Sequence, residues 1–155
     1  LKTSNEAPAT VSLFDTDFDG IKDMVVKRNI SSKKIKIMIV EDNKVNMLLL
    51  KTIIKNLDIN QEIFEGINGK DAGELKDEIN PDIIFMDIQM PIMNGYEATQ
   101  IIRTLKLGQN VPIIAITAGT EKEEKEKCLA AGMNDYIPKP IIKGIIEETI
   151  AKWTN

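Results

Sequence analysis

The chain contains a strongly apolar run that leads directly into a single aspartate. Residues 83–86 are Ile, Ile, Phe and Met, Asp87 follows them, and Pro91 lies four residues further on. A run this apolar predicts a strand buried on both faces, as in a parallel sheet covered by helices. Asp87 would then lie at the carboxyl end of the strand, the edge where α/β sheets bind ligands. A carboxylate buried there needs a partner, because an unpaired one is costly.

Three other apolar runs end in polar residues of the kinds that could partner Asp87. The segments between the runs are long enough for crossover helices, so we expect parallel strands that share one carboxyl edge. The side chains expected at that edge are an acid pair, a hydroxyl and a lysine, namely Glu41 and Asp42 after residues 36–40, Thr117 after residues 111–116, and Lys139 after residues 135–138.

Acidic side chains and a lysine at one sheet edge indicate chemistry on a phosphoryl group. Clustered carboxylates repel one another unless a hard cation lies among them, and Mg²⁺ accepts a few carboxylates while keeping waters and phosphoryl oxygens as ligands. A lysine ammonium is a point charge suited to phosphate. The sequence therefore predicts phosphoryl transfer onto a carboxylate, with Asp87 as the nucleophile and Mg²⁺ as the cofactor.

Alternating strand and helix signals predict an α/β fold. Between Lys44 and Leu57, helical spacing is found for Val45, Leu48, Leu49, Ile53 and Leu57. Crossover helices on both faces of a five-stranded parallel sheet give a doubly wound, flavodoxin-like (βα)5 arrangement. The predicted strands are 36–40, 61–65, 83–87, 112–117 and 135–138, and the predicted helices are 44–57, 71–78, 96–107, 121–131 and 141–153.

Five positions occur in a fixed order along the chain, Glu41-Asp42, Asp87, Thr117, Tyr136 and Lys139, with the loop sequence MPIMNGYEA at 90–98. In these residues the segment from about Lys36 to Trp153 resembles a response-regulator receiver domain of two-component signalling. The residues around 86–91 and 127–133 are most similar to receivers fused to hybrid sensor histidine kinases. On this basis residues 1–34 are predicted to be an N-terminal linker or extension, and residues 35–155 the receiver.

The resemblance implies a role for each residue around Asp87. Asp87 would accept a phosphoryl group from a phosphohistidine on a partner, either a histidine kinase or a histidine phosphotransfer domain. Lys139 would neutralise the charge of that group, and Thr117 would hydrogen-bond one of its oxygens. The implied Mg²⁺ ligands are Asp42, Asp87 and the backbone carbonyl of Gln89, with Glu41 acting through water.

The resemblance also implies a conformational switch. Tyr136 would turn inward when Thr117 moves, which would change the outer surface for signalling or onward phosphorelay. The Lys139-Pro140 peptide bond matches a cis bond of the family, and an X-Pro bond lowers the cost of the cis form to roughly 0.5–1 kcal/mol. In this family histidine-bearing partners dock on the first helix, so the resemblance implies docking on the helix that begins near Asn43. A weak homodimer is also compatible with the family.

Two alternative functions share features with phosphoryl transfer in a receiver. The main alternative is a pseudo-receiver that is not phosphorylated and acts as a protein-interaction scaffold. A haloacid-dehalogenase-type phosphatase also uses an aspartyl nucleophile, but it needs a second aspartate where this chain has Gln89. Whether the chain is an enzyme stays open: a receiver catalyses its own phosphorylation and dephosphorylation, while the kinase activity would reside elsewhere in a hybrid parent.

Composition bounds the partners and the compartment. The net charge of −4 does not favour a nucleic-acid partner, and the chain has no histidine, so a phosphohistidine must lie elsewhere. The single Cys128 fits a reducing compartment. No apolar run reaches the roughly 20 residues of a membrane helix, so we expect a cytoplasmic segment without membrane contact, within a parent that could be membrane-anchored.

The acidic stretch 15–20 resembles the opening of a calcium loop, but Val26 stands where the closing Glu belongs, which favours a linker.

Overall fold

Five strands alternate with five helices in the part of the chain that the computed structural model describes, residues 33–90, 93–105, 109–119 and 121–154. The predicted α/β class is confirmed, and predicted and observed element ends differ by only a few residues. Most of the predicted 1–34 linker, including the acidic stretch 15–20, lies outside the described residues. The elements are β1 Ile35–Val40, α1 Lys44–Lys55, β2 Gln61–Gly66, α2 Gly69–Ile79, β3 Ile83–Asp87, α3 Gly95–Thr104, β4 Ile113–Thr117, α4 Glu121–Ala131, β5 Asp135–Pro138 and α5 Lys143–Thr154.

The strands form one parallel sheet in the order β2-β1-β3-β4-β5. The strand order reverses at β1, which lies between β2 and β3, and such a reversal opens a crevice at the carboxyl ends of the strands. Val40 pairs with Met86 across β1 and β3, and Asp87 pairs with Ile116 of β4. The register therefore gathers the residues that follow β1, β3, β4 and β5 at one edge.

Alternating strand residues divide the core into two layers. In β1, Ile37 and Ile39 face the layer formed with α1 and α5, whereas Met38 and Val40 face the layer formed with α2, α3 and α4. Both faces of the central strands are covered, which explains why residues 83–86 and 113–116 are uniformly apolar and buried.

The buried face of helix α1 agrees only in part with the sequence spacing, which correctly indicated Ile53 and Leu57 as core residues. Asn43 caps the helix by accepting hydrogen bonds from the amides of Val45 and Asn46. Val45, Leu48 and Leu49, which were assigned to the apolar stripe, are 73%, 64% and 47% exposed. The buried residues of α1 are Met47, Leu50 and Ile54, and Ile53 packs against the same core layer while partly exposed. Residues 47–50 are all apolar, so spacing alone could not select the inward face.

Candidate functional site

Asp87 ends β3, and its side chain is almost fully buried. All residues of β3 are buried, and Asp87 is 3% exposed. The Nζ atom of Lys139 lies 3.4 Å from Oδ1 of Asp87, in a long ion pair at the carboxyl edge of the sheet. The lysine charge offsets part of the cost of burying the carboxylate. The structure therefore brings the strand-end aspartate and the lysine together.

An acid pair from the loop after β1 lies beside Asp87. One carboxylate oxygen from each of Glu41, Asp42 and Asp87 lies within 4.8 Å of the other two. Glu41 is 5% exposed, whereas Asp42 is open to solvent. Hard oxygen donors at this spacing, with one side open to water, suit a cation that keeps water and substrate oxygens in its shell. The donor set therefore fits Mg²⁺.

The electrostatics of the acid cluster agree with this chemistry. Burial, together with the negative charge of Asp87, raises the pKa of Glu41 from 4.5 to about 7. The amide of Asn43 donates to Oε2 of Glu41 over 3.1 Å and, with the positive charge of Lys139, opposes this rise in pKa. A divalent cation would relieve the repulsion that favours the protonated form of Glu41.

Thr117 and Lys139 are linked through the ends of β4 and β5. Thr117 is 4% exposed, and its Oγ1 atom accepts a hydrogen bond of 3.0 Å from the amide of Gly119. The carbonyl of Thr117 accepts a hydrogen bond of 2.8 Å from the amide of Lys139. The Lys139-Pro140 peptide bond is cis, the isomer that the family resemblance implied. The hydroxyl and the lysine are thus held at the same edge as Asp87.

Two further residues were predicted to belong to the site, Tyr136 as a switch and Gln89 as a metal ligand. Tyr136 is half-buried in β5 and packs against the core layer of α2, α3 and α4. Gln89 is exposed and lies two residues beyond Asp87, in the segment that follows β3. The switch role of Tyr136 and the metal-ligand role of the Gln89 carbonyl stay predictions.

Gly95 shapes the backbone beside Asp87. A Cβ atom at Gly95 would lie 2.5 Å from the carbonyl oxygen of Asp87 and 3.0 Å from Cα of Ile88. The amide of Gly95 also donates to the carbonyl of Ile88 over 2.9 Å. Asn94 caps α3 in a capping box with Glu97. The absence of a side chain at Gly95 therefore allows the start of α3 to approach the backbone of Asp87.

Glu124 and Tyr96 were missed by the sequence analysis. In the sequence, Glu124 is one of several charged residues of α4, with no feature that sets it apart. In the structure its carboxylate accepts a hydrogen bond from the hydroxyl of Tyr96 in α3 and lies against Gly119, two residues beyond Thr117. No local pattern could have distinguished Glu124 from the neighbouring glutamates, because the contact depends on how α3 and α4 pack.

Comparison with known proteins identifies the family. Residues 37–151 match the model of the response regulator receiver domain, which covers most of the chain. The chain belongs to the response regulator receiver family. The receiver is 35% identical over 154 residues to probable histidine kinase 1 of Oryza sativa subsp. indica, with 79% of this chain and 16% of that protein covered. It is also 40% identical over 126 residues to hybrid signal transduction histidine kinase C of Dictyostelium discoideum, with 77% and 10% covered. The chain thus spans only a small part of these curated relatives.

Solved structures show the same fold. The receiver domain of a sensor histidine kinase from Pseudomonas aeruginosa, described with magnesium coordinated in its active-site cleft, is 34% identical, with a TM-score of 0.72 over 79% of this chain and 98% of that one. The receiver of Ssk1 from Saccharomyces cerevisiae, crystallised with the histidine phosphotransfer protein Ypd1, is 31% identical, with a TM-score of 0.69 over 78% and 89%. Within the described part of the receiver, no helix combines the length and the apolar character needed to cross a membrane.

Proposed function

We propose that this receiver takes a phosphoryl group from a partner phosphohistidine onto Asp87, in a reaction that requires Mg²⁺. The observation that carries the proposal is the convergence of the buried Asp87 with Lys139, Thr117 and the Glu41-Asp42 pair at one sheet edge. Each type of side chain that the transfer needs is present. This complete set argues against a scaffold that is never phosphorylated.

The transfer forms one bond and breaks another. An Oδ atom of Asp87 attacks the phosphorus, a P–O bond forms, and the P–N bond to the imidazole breaks, with its electron pair leaving on the nitrogen. The Lys139 ammonium lies close enough to Asp87 to neutralise the charge of the phosphoryl oxygens. Thr117 offers a buried hydroxyl at the same edge as a hydrogen-bond donor to one of them.

The acid pair prepares the site for the metal. Asp42 and Asp87 would hold Mg²⁺ directly with the backbone carbonyl of Gln89, and Glu41 would act through water. When bound, Mg²⁺ supplies positive charge to the transferring phosphoryl oxygens and orients them for in-line attack. The magnesium described in the P. aeruginosa receiver supports this assignment.

We further propose that α1 is the docking surface for the histidine-bearing partner. The helix exposes three apolar side chains to solvent, namely Val45, Leu48 and Leu49. A group of exposed apolar side chains is typical of a protein–protein interaction site. A cleft of about 660 Å³ is lined by both acids of the pair and, from this apolar group, by Leu48. The cleft therefore connects the apolar surface with the acidic site. The complex of the Ssk1 receiver with Ypd1 supports a histidine phosphotransfer protein as the partner.

Reductive trapping tests the assignment of the acceptor. After incubation with Mg²⁺ and phosphoramidate, a small donor that carries a P–N bond, borohydride reduces an aspartyl phosphate to the corresponding alcohol. Peptide mass mapping should place the reduced side chain at position 87 and leave the exposed Asp58 unchanged. Reduction at Asp42, or at no carboxylate, would contradict the proposal.

A further inference from the structure

A hydrogen bond joins α3 to α4 next to the site, and no role in phosphoryl transfer has yet been given to it. The Tyr96 hydroxyl donates to Oε2 of Glu124, and both side chains are partly buried. Burial, with the nearby Glu124 carboxylate, raises the pKa of the Tyr96 hydroxyl. The hydroxyl therefore remains a donor at any physiological pH, and the Glu124 carboxylate is held in one place.

Glu124 in turn lies against the backbone of Gly119. A Cβ atom at Gly119 would collide with Cγ, Cδ and Oε1 of Glu124. The amide of Gly119 donates to Oγ1 of Thr117 over 3.0 Å. A continuous series of contacts thus runs from Tyr96 through Glu124 and Gly119 to the Thr117 hydroxyl.

The last contact of the series involves the hydroxyl that the proposed function uses as a hydrogen-bond donor. A hydroxyl has one proton to donate, and Thr117 must aim that proton at a phosphoryl oxygen beside Asp87. A shift of Thr117 toward Asp87 draws the Gly119 amide with it or breaks their hydrogen bond. Glu124 confines Gly119 on the side of α4, so the freedom of Thr117 depends on how firmly Glu124 is held.

We propose that the Tyr96–Glu124 hydrogen bond is a positioning contact that restrains the Gly119 backbone and so sets how readily the Thr117 hydroxyl reaches the phosphoryl group. The inference rests on the proposed function, because it takes Thr117 as the donor to that group. Tyr96 and Glu124 are positioning residues, since they act through Gly119 and touch no reacting atom. Release of the contact should speed phosphorylation, because the rearranged position of Thr117 becomes easier to populate.

The test compares four variants with the wild-type protein. Tyr96→Phe removes only the hydroxyl, Glu124→Ala removes the acceptor, and Glu124→Gln keeps an oxygen that accepts from Tyr96. Glu123→Gln is the matched control, because Glu123 is an exposed neighbour on the same helix. For each protein we would measure the rate of phosphoryl uptake from acetyl phosphate with Mg²⁺ by intact mass, the NMR position of the Gly119 amide, and the urea midpoint.

We expect the rate of phosphoryl uptake to differ among the variants. Uptake should be roughly two- to tenfold faster in Tyr96→Phe and Glu124→Ala, the change in equilibrium that one lost hydrogen bond produces. The Gly119 amide should shift in both variants, Glu124→Gln should stay within about twofold of the wild-type rate, and Glu123→Gln should match it. A purely structural contact would change the urea midpoint but leave the uptake rate unchanged, and that result would overturn the inference.

Two further outcomes separate this inference from the proposed function. If the wild-type protein gains phosphoryl groups but Tyr96→Phe has the wild-type rate and an unmoved Gly119 amide, the positioning role is wrong and the proposed function stands. If the wild-type protein gains none, the proposed function fails and this inference fails with it. An effect of Glu124→Gln as large as that of Glu124→Ala would also overturn the inference, because charge would then matter and not the hydrogen bond.

Discussion

At the residue scale the site depends on carboxylates that are close together and partly withdrawn from water. Of the three acids, Glu41 shows the raised pKa, because burial and the charge of Asp87 both favour its protonated form. Asp87 has Lys139 as an ion-pair partner, and Asp42 remains open to solvent. The arrangement that raises the pKa of Glu41 in the absence of metal also favours the binding of a divalent cation.

We expect the free energy of unfolding of the metal-free protein to decrease as the pH rises, because of Glu41. The pKa of Glu41 is about 7 in the folded protein against an ordinary value of 4.5, so the folded state binds a proton that the unfolded chain releases between these values. The stability from protonated Glu41 is complete below about pH 4.5 and is lost as the pH rises through about 7. Urea unfolding of Glu41→Gln should therefore depend less on pH across this window. The same slope in the wild type and Glu41→Gln would contradict the account, and Glu62→Gln, at an exposed position, is the control.

The residues of the site differed in how far the sequence could predict them. Asp87, Thr117 and Lys139 each follow an apolar run, and parallel strands with a shared edge bring such positions together whatever the loops do. The exposed fraction of Asp42 and the raised pKa of Glu41 depend on local loop geometry, which the sequence pattern does not contain. The Tyr96–Glu124 contact depends on helix packing, so the charged pattern of α4 concealed it.

At the element scale a single arginine joins α3 to the opposite edge of the sheet. Arg103 donates from Nε to the carbonyl of Gly132 over 2.9 Å, and its two terminal nitrogens donate over 2.7 Å each to the carbonyl of Val111 and to Oδ1 of Asn134. Oδ1 of Asn134 also accepts from the amide of Ile113 over 2.9 Å. Burial lowers the pKa of Arg103. The hydrogen bonds to these acceptors compensate for the hydration that the guanidinium loses on burial.

Arg103→Met should destabilise the receiver without abolishing phosphoryl uptake. The substitution keeps an apolar stem but removes the arginine donors to the carbonyls of Gly132 and Val111 and to Oδ1 of Asn134, at a cost of about 2–4 kcal/mol. The free energy of unfolding by urea, followed through the fluorescence of Trp153, measures the loss. Lys127→Met, at an exposed position of α4, is the control and should change stability by less than about 0.5 kcal/mol. A neutral Arg103→Met variant would show that the arginine contacts do not hold α3 to the sheet.

The exposed face of α1 leads to a prediction about partner recognition. Leu48 is 64% exposed beside the acidic cleft, so Leu48→Glu should leave folding intact but weaken docking of an apolar partner surface. We expect transfer from a phosphorylated histidine phosphotransfer protein to slow by about tenfold, the effect of losing one well-packed apolar contact. Uptake from acetyl phosphate should be unchanged.

Leu129→Glu provides the matched comparison for that experiment. Leu129 is 55% exposed on α4 and does not line the cleft. A similar loss of transfer in Leu129→Glu, with no loss in Leu48→Glu, would place the docking surface on α4 instead. The buried face of α1 could not be chosen from sequence because its apolar residues are consecutive, and the same uncertainty concealed which of them are free to meet a partner.

At the scale of the whole molecule the fold was the most predictable feature. Four apolar runs and a fifth predicted strand at 61–65, separated by helix-length segments, restrict the topology to a doubly wound parallel sheet, because crossovers are right-handed and both faces need covering. The position of the site follows from the reversal of strand order at β1. Residues 1–34 gave no comparable pattern, and their assignment as a linker stays a prediction, as do a weak homodimer and the cytoplasmic location.

The central claim is that Asp87 is a Mg²⁺-dependent phosphoacceptor, and intact-protein mass tests it most directly. The wild type, Asp87→Asn and the control Asp58→Asn would be incubated with acetyl phosphate in Mg²⁺ and again after chelation. The account predicts a gain of one phosphoryl group in the wild type and Asp58→Asn with Mg²⁺, and none in Asp87→Asn or in any chelated sample. An equal gain in Asp87→Asn, or no gain in a wild-type protein shown to bind Mg²⁺, would contradict it.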